Sequence, residues 1–366
     1  MNGDKPKYKV PSMKEIEAIP HNGFNVVSTF SGGGGSCLGY RMAGYRVLWA
    51  NEFVEEAQKT YRANHKETFL DCRDIRTVQP DEILKQIGLE KGEIDLFDGS
   101  PPCCAFSTAG KREKGWGEVR AYSDGKAQRI EDLFEEYIRL LDGLQPKTFV
   151  AENVSGMVKG KAIGYFKYYL DKMKKCGYNV EARLLNAKWL GVPQSRERII
   201  FIGVRDDLNM SPAYPTPNKY YYNLHDAFEG LPEDRAEKDR LIAEIKDYKI
   251  GKILAKLPKN PPHKISASSI MNGSYFNLIR SSYNDPCPTL CQMGATQSCA
   301  CACACDEDRR FTINEIKRIS SLPDDFILTG DYRQQYERAA RMVPPVMMMN
   351  IAKAIAENVL CKIPTI

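Results

Sequence analysis

At 366 residues the chain exceeds what one hydrophobic core usually holds, so a large and a small domain are expected. A composition of 43% hydrophobic and 27% charged residues excludes a disordered or fibrous protein, and a net charge of +5, from 52 basic and 47 acidic residues, is too small to imply nucleic acid by itself. No run approaches the ~18 apolar residues of a membrane span, residues 1–20 hold no signal-peptide core, and the cysteines therefore read as reduced thiols of a cytosolic protein.

From residue 24 onward, β-rich runs at 24–30, 45–50, 94–97, 148–151 and 199–204 alternate with helical periodicity at 54–63, 130–144 and 162–175. Such alternation predicts a mostly parallel sheet with helices on both faces, and ligands of such sheets bind at the carboxyl ends of the strands. After residue 204 the alternation stops. Residues 205–285 are rich in Pro, Tyr, Asn and Lys, and a second domain is expected there, with helical signal at 235–250. Periodicity returns at 313–320 and at 346–359, where Ile351, Ile355 and Val359 share a face expected to pack back onto the first domain.

The first strand runs into Ser31 and four glycines, Gly32 to Gly35, ahead of a helix-competent stretch. Glycines let a ligand approach the backbone at a helix N-terminus. The second strand ends in Asn51, Glu52 and Phe53, about 20 residues beyond the glycines, where an acid meets ribose hydroxyls in nucleotide-binding sheets. Together they point to an adenosine-containing cofactor, against the plainer reading of a tight turn beside a solvated glutamate. Cys37 and Leu38 stand at the third-glycine positions of G-x-G-x-x-G, and no P-loop ending is present, which disfavours a nicotinamide dehydrogenase and an ATP site.

Asp98, Gly99, Ser100, Pro101, Pro102, Cys103 and Cys104 follow the strand at 94–97, which brings thiols to the same edge. Prolines stiffen the approach to a group that must be aimed. Beyond them Gly110, Gly115, Gly117 and Gly125 alternate with Lys111, Arg112, Lys114 and Arg120 in a long stretch read as a structureless basic lid. Cys103 by itself reads more readily as a small buried hydrophobe, the commoner fate of a free cysteine. Glu152 and Asn153 at the end of the next strand, with Gln194, Arg196 and Arg198 before another, change that balance by adding an acid and two guanidiniums to one pocket.

With these residues in order, the sequence closely resembles the DNA cytosine-5 methyltransferase family over about 24–204 and again over 311–355. The resemblance lies in Phe30 with Ser31 and the glycines, Asn51-Glu52-Phe53, Asp74-Ile75, Pro102-Cys103 with Phe106-Ser107, Glu152-Asn153-Val154, and Gln194, Arg196 and Arg198. It implies a Rossmann-like α/β methyltransferase fold with a mostly parallel sheet and a smaller target-recognition domain. The implied boundaries are 1–205 with 340–366 for the catalytic domain and 206–339 for target recognition and its junction.

The implied cofactor is S-adenosyl-L-methionine. By resemblance Phe30 and Phe53 sandwich its adenine, Glu52 holds the ribose, Asp74 beside Ile75 accepts from the adenine amine, Leu133 adds a wall, and Ser31, Gly32, Gly34 and Pro102 complete the pocket. Cys103 attacks cytosine C6, Glu152 holds N3 protonated, Arg198 reaches the base or a nearby phosphate, and Arg196 with Gln194 supports them. Because C5 is a poor nucleophile, thiolate addition at C6 is what activates it, and a stacked cytosine must first be flipped out. The implied partners are double-stranded DNA and a cognate restriction endonuclease; a monomer is expected, with no membrane and no metal. A tRNA cytosine-5 methyltransferase and a catalytically silent DNA-binding relative are the rival readings; the sizeable variable segment disfavours the first and intact Cys103 and Glu152 the second.

Two departures stand out: Cys104 where many relatives carry Gln, and Ala340-Arg341 where Gly-Asn is usual, which removes support for a cofactor contact at Arg341. In the variable segment Lys246, Lys249, Lys252, Lys256, Lys259 and Lys264, with Tyr220 to Tyr222 and Tyr275, suit phosphate contacts or a plain solvated face. Asn272, Asn277 and Arg280 are candidates for reading base edges. Cys287, Cys291, Cys299, Cys301, Cys303 and Cys305 depart from C-x-x-C spacing and favour a variable loop over zinc.

Overall fold

A computed structural model describes residues 5–102, 119–121, 127–129, 133–271, 278–295 and 301–364. The chain forms two compact units. The larger contains Ile16–Leu185, Glu197–Thr216 and Met348–Ile366; the smaller contains Met1–Glu15, Asn186–Arg196 and Pro217–Met347.

In the larger unit the parallel strands are β1 (Asn25–Thr29), β2 (Arg46–Asn51), β3 (Phe69–Asp71), β4 (Leu96–Gly99) and β7 (Thr148–Val154). To these are added β8 (Tyr178–Asn186) and β10 (Glu197–Arg205). The spatial order is β3-β2-β1-β4-β7-β10-β8, with β10 antiparallel to β7. Strand β7 is buried along six of its seven residues, as a central strand covered on both faces must be. The covering helices are α2 (Gly35–Met42), α3 (Glu55–Asn64), α4 (Pro80–Ile87), α5 (Leu133–Leu144) and α6 (Ile163–Lys175). Leu133, Phe134, Tyr137, Ile138, Leu141 and Leu144 recur at helical spacing on α5 and are all buried, each contributing roughly 1.5–3 kcal/mol. The Tyr137 ring stacks on Phe97 of β4 with centroids 4.8 Å apart. In α12 (Pro345–Asn358) Ile351 and Ile355 are fully buried, and Ala352 accepts a hydrogen bond from the Tyr45 hydroxyl at 3.0 Å, so this last helix does return to the sheet domain.

The stretch read as structureless contains an antiparallel ribbon, β5 (Val119–Ala121) with β6 (Ala127–Arg129). Gly110, Lys111, Arg112, Lys114, Gly115, Gly117 and Gly125 lie outside the described residues. Strands β3 and β8 and helix α4 are additions to the expected elements. Among the described residues no helix is long and apolar enough to cross a membrane.

The smaller unit carries β9 (Gln194–Ser195), α7 (Leu224–Phe228), α8 (Arg235–Ile245), α9 (Lys249–Leu254), β11 (Ile265–Ser266), β12 (Ile279–Arg280), β13 (Cys287–Pro288), β14 (Ala302–Cys303), α10 (Ile313–Ile319) and α11 (Tyr332–Arg341). Helix α1 (Met13–Glu17) crosses the boundary between the units. A small sheet in the order β11-β12-β14 packs Ile245, Ile250, Leu254, Leu278, Cys301 and Cys303 into one core. Cys287 and Cys305 are also buried, Cys299 lies outside the described residues, and among the described residues no group of three or more His, Cys, Asp or Glu has the geometry to hold a metal.

Arg280 is not a reader of base edges. It is fully buried, and its guanidinium donates to the carbonyls of Leu254, Ala304 and Glu307 and pairs with Asp308. A charge at that depth is retained because four acceptors converge on its two terminal nitrogens. Arg280→Ala should therefore destabilise the protein by roughly 3–5 kcal/mol, seen as a lower denaturant midpoint; a shift under about 1 kcal/mol would remove this role. Tyr222 likewise serves the core, its ring 5.0 Å from that of Tyr8. Lys246, Lys249, Lys252, Lys256, Lys259 and Lys264 are all exposed; Asn272, Tyr275 and Asn277 lie outside the described residues.

Candidate active site

The carboxyl ends of β1 and β2 build the first half of the site. Ser31 N–H donates to the Asn51 carbonyl at 3.0 Å, and to make that turn Phe30 takes φ +54°, a left-handed conformation costing a non-glycine residue on the order of 1–3 kcal/mol. Strain of this kind persists where the surroundings impose it. Gly34 has φ +93°, and a Cβ there would stand 2.2 Å from Nε2 of buried His65, so only glycine fits. At Gly32 the space beside the backbone is open. Burial takes His65 down to about 3, so it supports Gly34 as a neutral ring stacked 4.5 Å from Tyr61.

Glu52 is the hub of this half. Its Oε2 accepts the Gly32 N–H and its Oε1 the Val54 N–H, both at 2.7 Å, which ties the glycine loop to the start of α3. Phe30 and Phe53 are partly buried. Asp74 caps the single turn Ile75–Thr77, accepting the Arg76 N–H and pairing with its guanidinium, both at 3.1 Å. Ile75 is buried, as is Leu133 at the start of α5.

The second half rises from β4, β7 and β10. Gly99 is in such close contact that a Cβ would meet the Tyr137 ring at 2.5 Å, and Asn153 donates to the Pro101 carbonyl at 3.2 Å, fixing the approach to partly buried Pro102. Cys103, Cys104, Phe106 and Ser107 lie outside the described residues. The Glu152 carboxylate meets Arg198 Nε at 2.7 Å, with both side chains largely buried. That pair exists because β10 is antiparallel to β7, with Ile200 opposite Glu152 and Arg198 opposite Val154.

Arg196 falls in the smaller unit. It is buried there, and its guanidinium donates to the carbonyls of Ala340 at 2.9 Å and Arg341 at 3.5 Å. Those are the last carbonyls of α11, where a cation offsets the helix dipole. Gln194 is buried beside it and pairs in register with Cys287. Sequence reasoning missed a buried polar set beneath the loop: Asp98 accepts from Ser28 at 2.8 Å and from Tyr40 at 3.0 Å. An acid inside an apolar strand was the available signal.

A family model described as C-5 cytosine-specific DNA methylase matches residues 24–357, nearly the whole chain. The chain belongs to this family. It is similar to the Type II methyltransferase M.Sau96I of Staphylococcus aureus, 31% identical over 96% of this chain and 79% of that protein. It is also similar to M.NgoPII of Neisseria gonorrhoeae, 28% identical over 94% of this chain and 99% of that one. Among solved structures, an E. coli prophage-encoded chain described as a DNA modification methyltransferase shares the fold with a TM-score of 0.69 at 21% identity, covering 92% of this chain and 99% of that one. The enzyme is thus a DNA cytosine-5 methyltransferase of Rossmann-like α/β fold, in a family that uses a covalent cysteine mechanism and, in general, S-adenosylmethionine.

Proposed function

We propose that the carboxyl edge of the larger unit's sheet holds S-adenosylmethionine between β1 and β2 and works on a flipped cytosine beside β7. The observation that carries this reading is the pair of carboxylates at one sheet edge: Glu52 at the end of β2, bonded to the glycine loop, and Glu152 paired with Arg198. The residues fit the cofactor. Glu52 sets its carboxylate at the carboxyl end of β2, on the Gly32 and Val54 N–H groups, where ribose hydroxyls would lie, and open space adjoins Gly32. Phe30 and Phe53 offer ring faces for an adenine, with Asp74, Ile75 and Leu133 around it; Ser31, Gly34 and Pro102 shape the rest.

Bound S-adenosylmethionine supplies the electrophilic methyl group. Cys103 adds through its thiolate to cytosine C6, which makes C5 nucleophilic. Glu152 holds the proton at N3 that this addition requires, and Arg198 keeps the Glu152 carboxylate in place. Once C5 carries the methyl, loss of its proton expels the Cys103 thiolate and restores the ring. Transfer of labelled methyl to double-stranded DNA, followed by identification of 5-methylcytosine, tests the reading; label on tRNA alone would overturn it.

Glu52→Ala should weaken S-adenosylmethionine binding by about 1.5–3 kcal/mol, the worth of hydrogen bonds to a charged group. Unchanged affinity by calorimetry would sink the ribose assignment. The segment from about 205 to 305 is proposed to choose the target sequence, its exposed lysines meeting phosphates. Exchanging it for a relative's should change which cytosine is methylated, and an active chimera with the original specificity would count against it. The Type II names of the relatives support a cognate restriction endonuclease, whose cleavage of DNA should be blocked by this methylation.

A further inference from the structure

We propose that Asp98 is a proton-linked positioning residue for the cofactor loop, its charge relayed through Ser28 to Ser31. The proposal rests on the cofactor site placed above. Asp98 lies on β4, between β1 and β7, and is 2% exposed. Its Oδ2 accepts the Ser28 hydroxyl at 2.8 Å, and Ser28 Oγ stands 3.0 Å from Ser31 Oγ. Its Oδ1 accepts the Tyr40 phenol at 3.0 Å. Ser31 opens the glycine loop and Tyr40 belongs to α2, the helix into which the loop runs. Tyr40 anchors the carboxylate to α2, and Ser28 links it to the loop.

A serine hydroxyl has a single hydrogen. With Asp98 ionised, the Ser28 hydrogen is committed to the carboxylate, and the Ser31 hydroxyl, 3.0 Å from Ser28 Oγ and 3.3 Å from the Ser28 carbonyl, donates to Ser28. With Asp98 protonated, its own O–H can turn to Ser28, whose hydrogen then points at Ser31 and releases the Ser31 hydrogen from the relay. Both bonds to Asp98 also lose their charge assistance.

The surroundings keep these two states close in energy. Burial raises the Asp98 carboxyl to about 7, opposed by the Ser28 and Tyr40 hydrogen bonds and reinforced by the charge of Glu152. Among the described residues no lysine or arginine pairs with it. Among the described residues, the titratable groups facing it are Tyr40 and Cys37 of α2, Tyr61 of α3, Tyr137 of α5 and Glu152 of β7. Burial raises the three phenols and the thiol, so they stay neutral near pH 7.

The ionised form holds the loop in the geometry described, so binding favours it and releases a proton. The probe is S-adenosylhomocysteine, followed by calorimetry across neutral pH in buffers of different ionisation enthalpy, with no turnover. Wild-type affinity should rise about fivefold to tenfold as pH rises through about 7, the difference between charged and neutral hydrogen bonds. Asp98→Asn, which cannot ionise, should give a flat profile at the low-pH affinity without proton release. Ser28→Ala keeps the carboxylate but cuts the relay, and should be flat as well; it carries the test if Asp98→Asn fails to fold. A wild-type inflection that survives in either variant, or its absence from the wild type, overturns the proposal. Failure of the wild type to bind the probe at all would instead count against the cofactor site itself.

Discussion

Cys103→Ser should abolish methylation, lowering turnover by at least about 10,000-fold, because a hydroxyl is a far weaker nucleophile than a thiolate near neutral pH. The adjacent thiol makes the experiment informative. Only Cys103 directly follows Pro102, and the approach to it is set by the Asn153 bond to the Pro101 carbonyl. DNA with 5-fluorocytosine at the target lacks the proton whose loss expels the thiolate, so enzyme and DNA should remain joined. Peptide mapping should place the adduct on Cys103, and Cys104→Ala should still form it. An adduct on Cys104, or none in an enzyme proven active, would refute the mechanism.

Glu152→Gln should lower the single-turnover rate about 100- to 10,000-fold, the usual range for removing a positioned general acid. The amide can still accept from Arg198, so the β7 to β10 edge should keep its shape while the ability to hold a proton at N3 is lost. Cofactor affinity should change little, since the contacts proposed for Glu152 are to cytosine and strengthen during attack. Full turnover accompanied by a pure S-adenosylmethionine-binding defect would remove it from the chemistry.

The catalytic half of the chain was legible because it obeys local rules. Short β-rich runs mark β1, β2 and β7, and the residues that punctuate their ends are the ones the site uses. Strand β8 was legible but passed over: Tyr178, Val180 and Ala182 alternate with Asn179, Glu181 and Arg183, the period of a strand with one solvated face, as an edge strand has, until exposed Leu184 breaks it. Strand β3 is three residues long, too short for any period. Helix α11 is strongly polar yet buries Tyr336, Arg338 and Ala339. Arg280 and Arg196 were read from residue type, as arginines in a nucleic-acid enzyme invite, whereas their roles follow from carbonyls brought together only by folding. Asp98 is the same lesson in reverse. Its strand was visible, but not that Ser28 and Tyr40 would converge on it.

The reversed direction of β10 has a consequence for where chemistry can be encoded. In a parallel strand the residues that reach the ligand rim come in its later part, as Glu152, fifth of seven, does in β7. Arg198 is the second residue of its nine-residue strand and still stands at that rim, because β10 starts where β7 ends. Were β10 threaded the other way, Arg198 would be carried roughly 20 Å to the far side of the sheet, at about 3.3 Å per residue. The arginine must therefore be written ahead of its strand and the glutamate at the tail of its own. A strand swap that preserved composition but not orientation would keep the hydrophobic layer and separate the ion pair.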